Sequence, residues 1–239
     1  MNNRKHKLIN LIKKSDFSPK IGNNDLNIYL NNFSYYLLRN FRFSSKTKIL
    51  SDGQFFTFLI NFFLKKKYKR NSFDFTSNAS HVFNFVSENN KRLFVIGSTP
   101  KNSETFNRFL QDEFNIKNSI SIDGFKENIY EYLLTLNLNS SIVVIGTGSP
   151  FQENLASFVF ENFKNIEVYT CGGFITQTAE SIDNKRDHNY YPKFYSKFNL
   201  RWLYRMMTTN FVLKRLLFYY PISVIYLIYE FIVKRNDNN

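Results

Sequence analysis

Chemistry is most legible in this chain at Gly146-Thr147-Gly148-Ser149-Pro150-Phe151-Gln152-Glu153, which follows the apolar run Ser141-Ile142-Val143-Val144-Ile145. A glycine turn here leads from a buried strand into a helix, and such a turn can receive a phosphate-bearing ligand. Gly146 and Gly148 carry no side chain to hold a diphosphate off the backbone, and the first N–H groups of the next helix point at an incoming anion. Gln152 and Glu153 fall in that helix's opening turn, where a neutral and a charged polar group can both reach the ligand. The same glycine pair also turns doubly wound sheets that bind nothing, so the turn alone leaves binding and plain chain reversal both open.

The elements that must position this turn follow from hydrophobic periodicity. Phe151, Leu155, Phe158, Val159 and Phe163 recur at spacings of three and four, which predicts a helix with these side chains as its buried stripe. Residues 93–96, 120–122, 142–145 and 166–169 read as strands. Between them lie helical stretches that bury Phe106, Phe109, Leu110 and Phe114, then Ile129, Tyr132, Leu133 and Leu136. Upstream, a strand over 47–50 meets Ser51-Asp52-Gly53-Gln54 and a helix to residue 64, and a further strand over 28–30 ends at Asn31. Repeated strand–helix units predict an α/β, Rossmann-like, mostly parallel sheet with helices on both faces. The cationic run Lys65 to Arg70 reads as a solvated helix end or loop.

With 239 residues, 43% hydrophobic content and 28 Phe, the chain can fill a sizeable core. Its 32 Lys and Arg against 19 Asp and Glu give a formal charge of +13, which implies an anionic partner. Nucleic acid is the weaker choice among such partners, because the aromatics fall at core periods instead of alternating with cations on an exposed strand face. The lone Cys171 excludes an internal disulfide, and His6, His81 and His188 are too scattered for a zinc site, so neither a metal nor a cofactor is expected. The apolar piece Leu8 to Ile12 is too short for a secretory signal, which points to the cytoplasm.

The strand rhythm stops near residue 185. We divide the chain into a basic N-terminal segment (1–24), a Rossmann-like catalytic domain (25–185) and a basic, aromatic-rich helical appendage (186–239). The appendage's last apolar stretch, 216–233, is 18 residues long, at the threshold for a membrane span. Pro221, Ser223 and Glu230 interrupt it, and Lys214-Arg215 and Lys234-Arg235 flank it. This favours a helix lying in the interface of an anionic membrane, with Tyr219, Tyr220, Tyr226 and Tyr229 at headgroup level. A true span, and a terminal helix packed on the soluble core or a partner, are the competing arrangements.

Several blocks, taken in order, resemble the WecG/TagA/CpsF family of bacterial glycosyltransferases. They are Ile28-Tyr29-Leu30-Asn31-Asn32-Phe33-Ser34-Tyr35, Ser51-Asp52-Gly53, Phe94-Val95-Ile96-Gly97, Asp123-Gly124-Phe125, the Gly146 to Glu153 block, Gly172-Gly173-Phe174 and Leu200-Arg201-Trp202-Leu203-Tyr204-Arg205. The resemblance implies a metal-independent, inverting transferase at the cytoplasmic face of the inner membrane. It would move a sugar from a UDP-sugar onto a polyprenyl-diphosphate-linked saccharide, as in surface polysaccharide or cell-wall glycan assembly. Asp52 matches the family's general base. Asn31, Gly53, Gly97, Asp123, Gly146, Gly148, Pro150, Gln152, Glu153, Gly172 and Gly173 match its donor- and acceptor-binding positions. Arg201, Arg205 and Arg215 are the cations implied for the lipid diphosphate, since guanidinium groups bind phosphate through paired donors. The resemblance also raises a homo-oligomer.

The chain departs from the family pattern at Tyr29, where Thr is common, at Tyr190-Tyr191-Pro192, where Arg-Ala-Pro is common, and at Arg201, where Glu is common. Arg186 or Arg201 could supply the cation missing at Tyr190. The alternative function is a non-catalytic nucleotide-binding or scaffold protein that keeps the sheet without the chemistry.

Overall fold

The computed structural model describes residues 5–184 and 213–232. In chain order the strands are β1 (Lys5–Lys7), β2 (Leu26–Leu30), β3 (Arg42–Ser44), β4 (Thr47–Ser51), β5 (Arg92–Gly97), β6 (Ser119–Ile122), β7 (Ser141–Gly146) and β8 (Glu167–Thr170). The helices are α1 (Leu8–Lys14), α2 (Asn32–Leu38), α3 (Gln54–Leu64), α4 (Ala79–Glu88), α5 (Pro100–Phe114), α6 (Ile129–Thr135), α7 (Phe151–Asn162) and α8 (Phe174–Asp183). A π-helical turn, Arg215–Tyr219, then runs into α9 (Tyr220–Ile232).

Six strands form one sheet in the order β4-β2-β8-β7-β5-β6, and every neighbouring pair is parallel. The strands buried on both faces are near-continuous apolar runs, as a helix-covered parallel sheet requires. Their alternation sorts the core into two layers. Phe94, Ile96, Val143 and Ile145 face the side covered by α1, α2, α3, α6, α7 and α9. Leu93, Val95, Ile142 and Val144 face α4, α5 and α8, where Phe73, Phe83, Phe106 and Phe174 pack edge to face. The high phenylalanine content therefore fills an interior.

Parallel pairing brings the C-terminal ends of all six strands to one rim, and the order reverses within it. From β5 the chain goes outward to β6, returns to β7 on β5's other side and continues to β8. The β5–β7 boundary is thus a topological switch point, the place where open α/β sheets commonly receive ligands.

Two local readings change in the structure. In α7 the buried residues are Gln152, Glu153, Leu155, Ala156 and Val159, while Phe151 is exposed. The helix turns its first polar pair inward, because Gln152 must reach the loop after β8. In the run after α3, Lys65, Lys66, Lys67 and Lys69 are exposed as expected, but Arg70 is half-buried and drawn to two carboxylates. At the N-terminus, β1 pairs antiparallel with β3, and Leu8 and Ile12 of α1 are fully buried.

The C-terminal helix uses its polar interruptions for docking. Ser223, Leu227, Glu230 and Phe231 share its buried face. Ser223 Oγ accepts from Asn32 Nδ2 at 3.4 Å and Glu230 Oε2 accepts from Tyr35 hydroxyl at 3.3 Å, both across to α2. Lys13 Nζ donates to the Glu230 carbonyl and lies over the Phe231 ring. The remaining face of α9 is apolar and exposed.

Candidate functional site

Read across the sheet, the rim presents Asp123-Gly124 after β6, Gly97 at the end of β5, Gly146 at the end of β7 and Cys171-Gly172-Gly173 after β8. Asn31 follows β2 and Asp52-Gly53 follows β4. Every candidate site residue that lies among the described positions, Arg215 excepted, sits on this rim or in the first turn of α7. Arg201 and Arg205, with Arg186 and Tyr190, lie outside the described residues.

At the switch point the backbones meet so closely that no side chain fits between them. Gly97 and Gly146 are register partners, and a Cβ on Gly97 would lie 2.7 Å from the Gly146 carbonyl oxygen. A Cβ on Gly124 would lie 2.6 Å from Gly97 Cα, and one on Gly146 would lie 2.7 Å from both Cys171 Sγ and the Gly172 carbonyl oxygen. Beyond this contact the chain reaches Gly148, whose φ of +85° an L side chain rarely adopts and whose α-carbon faces open space. Pro150, which follows a cis peptide bond, is the N-cap of α7, and the Gln152 N–H closes the turn by donating to the Gly148 carbonyl at 2.9 Å.

A buried polar network fixes the turn. Glu153 is fully buried, and its Oε1 accepts from Ser149 Oγ at 2.8 Å and from Gln152 Nε2 at 2.7 Å. Gln152 Oε1 in turn accepts from the Gly172 N–H at 3.0 Å, which joins the loops after β7 and β8. Glu153 Oε2 has no hydrogen-bond partner among the described residues. Loss of solvent on burial raises the Glu153 pKa above its ordinary 4.5, against the hydrogen bonds from Gln152, Ser149 and the backbone that favour the carboxylate. The sequence placed Glu153 against the ligand; the structure places it beneath the loop, as a brace. Asp123 similarly holds its own turn, its Oδ1 accepting from the Phe125 N–H at 2.9 Å.

At the other end of the rim, Asp52 continues the β2–β4 pairing: its N–H donates to the Leu30 carbonyl at 2.7 Å. That bond sets Asp52 beside Asn31, and a Cβ on Gly53 would meet Asn31 Cβ at 3.5 Å. Asn31 caps α2, its Oδ1 accepting from the Phe33 and Ser34 N–H groups at 3.0 and 3.1 Å. The Asn31 amide NH₂ is not used in the cap. The Asp52 side chain is 32% exposed, so it reaches solvent, and its Oδ1 lies 3.3 Å from Arg70 Nη2. The same Arg70 nitrogen lies 3.2 Å from Asp74 Oδ2, while Ser72 and Thr76 donate to Asp74. Burial works against the Arg70 charge, but Asp52 and Asp74 outweigh it and raise its pKa. Sequence reading missed Arg70 because one Arg ending a lysine-rich run carries no pattern of its own. Asp52 and Gly146 are separated by three strand spacings, β4 to β2 to β8 to β7, which is about 14 Å along one open edge.

Arg215 comes to this edge from the C-terminal segment: its guanidinium lies 4.0 Å above the ring of Phe33, two residues after Asn31. Arg39 is held in the same way between Tyr36 and Tyr226. Tyr29, where the sequence departs from the family pattern, is buried and its hydroxyl accepts from Asn78. That departure thus falls in the core.

Such a sheet, with glycine loops at its switch point and a carboxylate on the same rim, belongs to the doubly wound α/β class that receives ligands beyond its strand C-termini. Residues 39–237 match the family described as Glycosyl transferase WecG/TagA/CpsF family, and the chain belongs to that family. The chain is also 31% identical over 211 residues to the UDP-Gal:alpha-D-GlcNAc-diphosphoundecaprenol beta-1,4-galactosyltransferase of Shigella boydii, with 86% of each chain covered. The protein is therefore a glycosyltransferase.

Two outcomes test this geometry. Gly97→Ala forces β5 and β7 apart at the switch point and should lower stability by about 1–3 kcal/mol in denaturant unfolding, with loss of transfer. An unchanged unfolding midpoint would contradict the close approach. Because the folded Glu153 carboxyl keeps its proton above pH 4.5, the wild type binds more protons folded than unfolded as pH rises from that value. Its stability should then fall relative to Glu153→Gln until the folded group has ionised. Parallel stability profiles for the two proteins across that range would contradict the buried, raised carboxyl.

Proposed function

We propose that this glycosyltransferase moves a hexose from a UDP-sugar onto a saccharide carried on polyprenyl diphosphate, by one inverting displacement with Asp52 as general base. The observation that carries the reading is the shared rim: a solvent-reaching carboxylate and a glycine turn face the same side of one parallel sheet. The activity named for the Shigella boydii relative supports the donor and acceptor classes and makes UDP-galactose the first donor to test.

In the proposed reaction the donor diphosphate lies on the Gly146–Gly148 turn and the N-terminus of α7, with the sugar directed along the rim toward Asn31 and Asp52. Gln152 and Glu153 act from below by holding the turn. Asp52 takes the proton of the acceptor hydroxyl as its oxygen attacks the anomeric carbon, and the bond to UDP breaks with its electron pair leaving on the diphosphate. Backbone donors at the turn receive that charge. Arg70 fixes the Asp52 carboxylate in place. Arg215, with Arg201 and Arg205, binds the diphosphate of the lipid-linked acceptor. The work is done at the cytoplasmic face of the inner membrane, with the exposed face of α9 on the lipid.

Asp52→Asn tests the assignment. Transfer from UDP-galactose to a short-chain prenyl-diphosphate-linked GlcNAc, followed by UDP release, should fall about 10²–10⁴-fold with an unchanged melting temperature. Wild-type turnover in this variant would remove Asp52 from the reaction.

A further inference from the structure

Helix α3 starts directly after Asp52-Gly53 and carries no charged residue. It buries Phe56, Leu59 and Ile60, yet Phe55, Phe58 and Phe62 on its other face are 46%, 62% and 69% exposed. A helix covering a sheet normally turns polar groups outward, so a row of three exposed phenylalanines marks a contact surface.

This face continues that of α9. Tyr220, at the start of α9, stacks on Phe55 at 6.4 Å, and Phe231, near its end, stacks on Phe63 at 4.9 Å. The two helices therefore run side by side in the same direction. On α9 and the turn before it, Phe218, Ile225 and Ile232 are also 61%, 64% and 57% exposed. Cations border the combined surface: exposed Lys65, Lys66 and Lys67 close α3, and exposed Lys214 precedes the turn into α9.

We propose that the Phe55–Phe58–Phe62 face is a second membrane-inserting element, which joins α9 in docking the enzyme on an anionic leaflet. Charge complementarity selects this occupant. Aromatic and aliphatic side chains inside a border of lysines match acyl chains beneath acidic headgroups, whereas protein–protein contact surfaces are depleted of lysine. The arrangement also has a consequence for the site. Both helices begin at the catalytic rim, α3 beside Asp52 and the C-terminal segment at Arg215 over Phe33. Two inserted helices fix the tilt of the sheet as one cannot, and hold the rim at the height of a lipid-linked diphosphate. The inference rests on the membrane-side reading above, and its test separates the two.

The full chain is sedimented with vesicles of phosphatidylethanolamine and phosphatidylglycerol, and with vesicles of phosphatidylcholine alone. The wild type should bind the first and not the second. Phe58→Gln with Phe62→Gln should weaken that binding about tenfold or more, while leaving the melting temperature and transfer to a soluble short-chain acceptor unchanged. Phe58→Leu with Phe62→Leu should retain binding, since an apolar surface suffices. Failure of the wild type to bind either vesicle would overturn the membrane reading itself. A wild type that binds together with a glutamine variant that binds equally well would overturn only the role of α3. A glutamine variant with intact vesicle binding but a smaller particle mass by light scattering would overturn it in favour of a contact between copies of the chain.

Discussion

The structure depends on how closely three backbones meet at the switch point. Gly97, Gly124 and Gly146 end or follow β5, β6 and β7, and a methyl group on any of them would sit inside a neighbouring atom's radius. Dispersion and ladder hydrogen bonds draw the strand ends together, and the absence of side chains lets the closure go to completion. The result is a stretch of rim made of closely packed backbone. One loop must still hold its course over that stretch. The Ser149–Glu153–Gln152–Gly172 network does this at the expense of a buried carboxyl, whose raised pKa records the cost.

From that stretch the parallel topology extends a single functional edge. Because all six strands point the same way, Asn31 and Asp52 on the far side of β8 face the space that the glycine loops face. Packing supplies the remaining parts from distant sequence. Arg70 is pulled out of a solvated run by the carboxylates of Asp52 and Asp74, and Arg215 is carried to Phe33 by a helix that docks on α2 through Ser223 and Glu230. The glycine turn, Asp52 and Arg215 thus come from separate parts of the fold.

The strands were legible because parallel strands are continuous apolar runs bounded by glycine, and the rim residues because strand ends carry them. The family pattern added the expectation that Asp52 is the base, which an Asp-Gly pair after a strand does not state alone. What periodicity missed were features decided by tertiary partners. Gln152 and Glu153 turned inward because the Gly172 loop offers a donor at 3.0 Å. Ser223 and Glu230 read as breaks in a membrane span, yet they are the residues that dock α9 to the protein and leave its apolar face outward. Helix α4 and the β1–β3 pair also escaped, the first because its apolar positions follow a loop with no strand before it, the second because three-residue strands are too short to show a period.

The central claim is that one rim holds the donor at the Gly97–Gly146 switch point and directs its sugar toward Asp52. A crystal structure of the full chain with a non-hydrolysable UDP-hexose tests it most directly. The account predicts the diphosphate over the Gly146–Gly148 turn, within hydrogen-bond reach of backbone N–H groups, and the hexose extending past Asn31 toward the Asp52 carboxylate. A nucleotide bound away from that turn, or a hexose directed toward β6 with Asp52 out of reach, would contradict it.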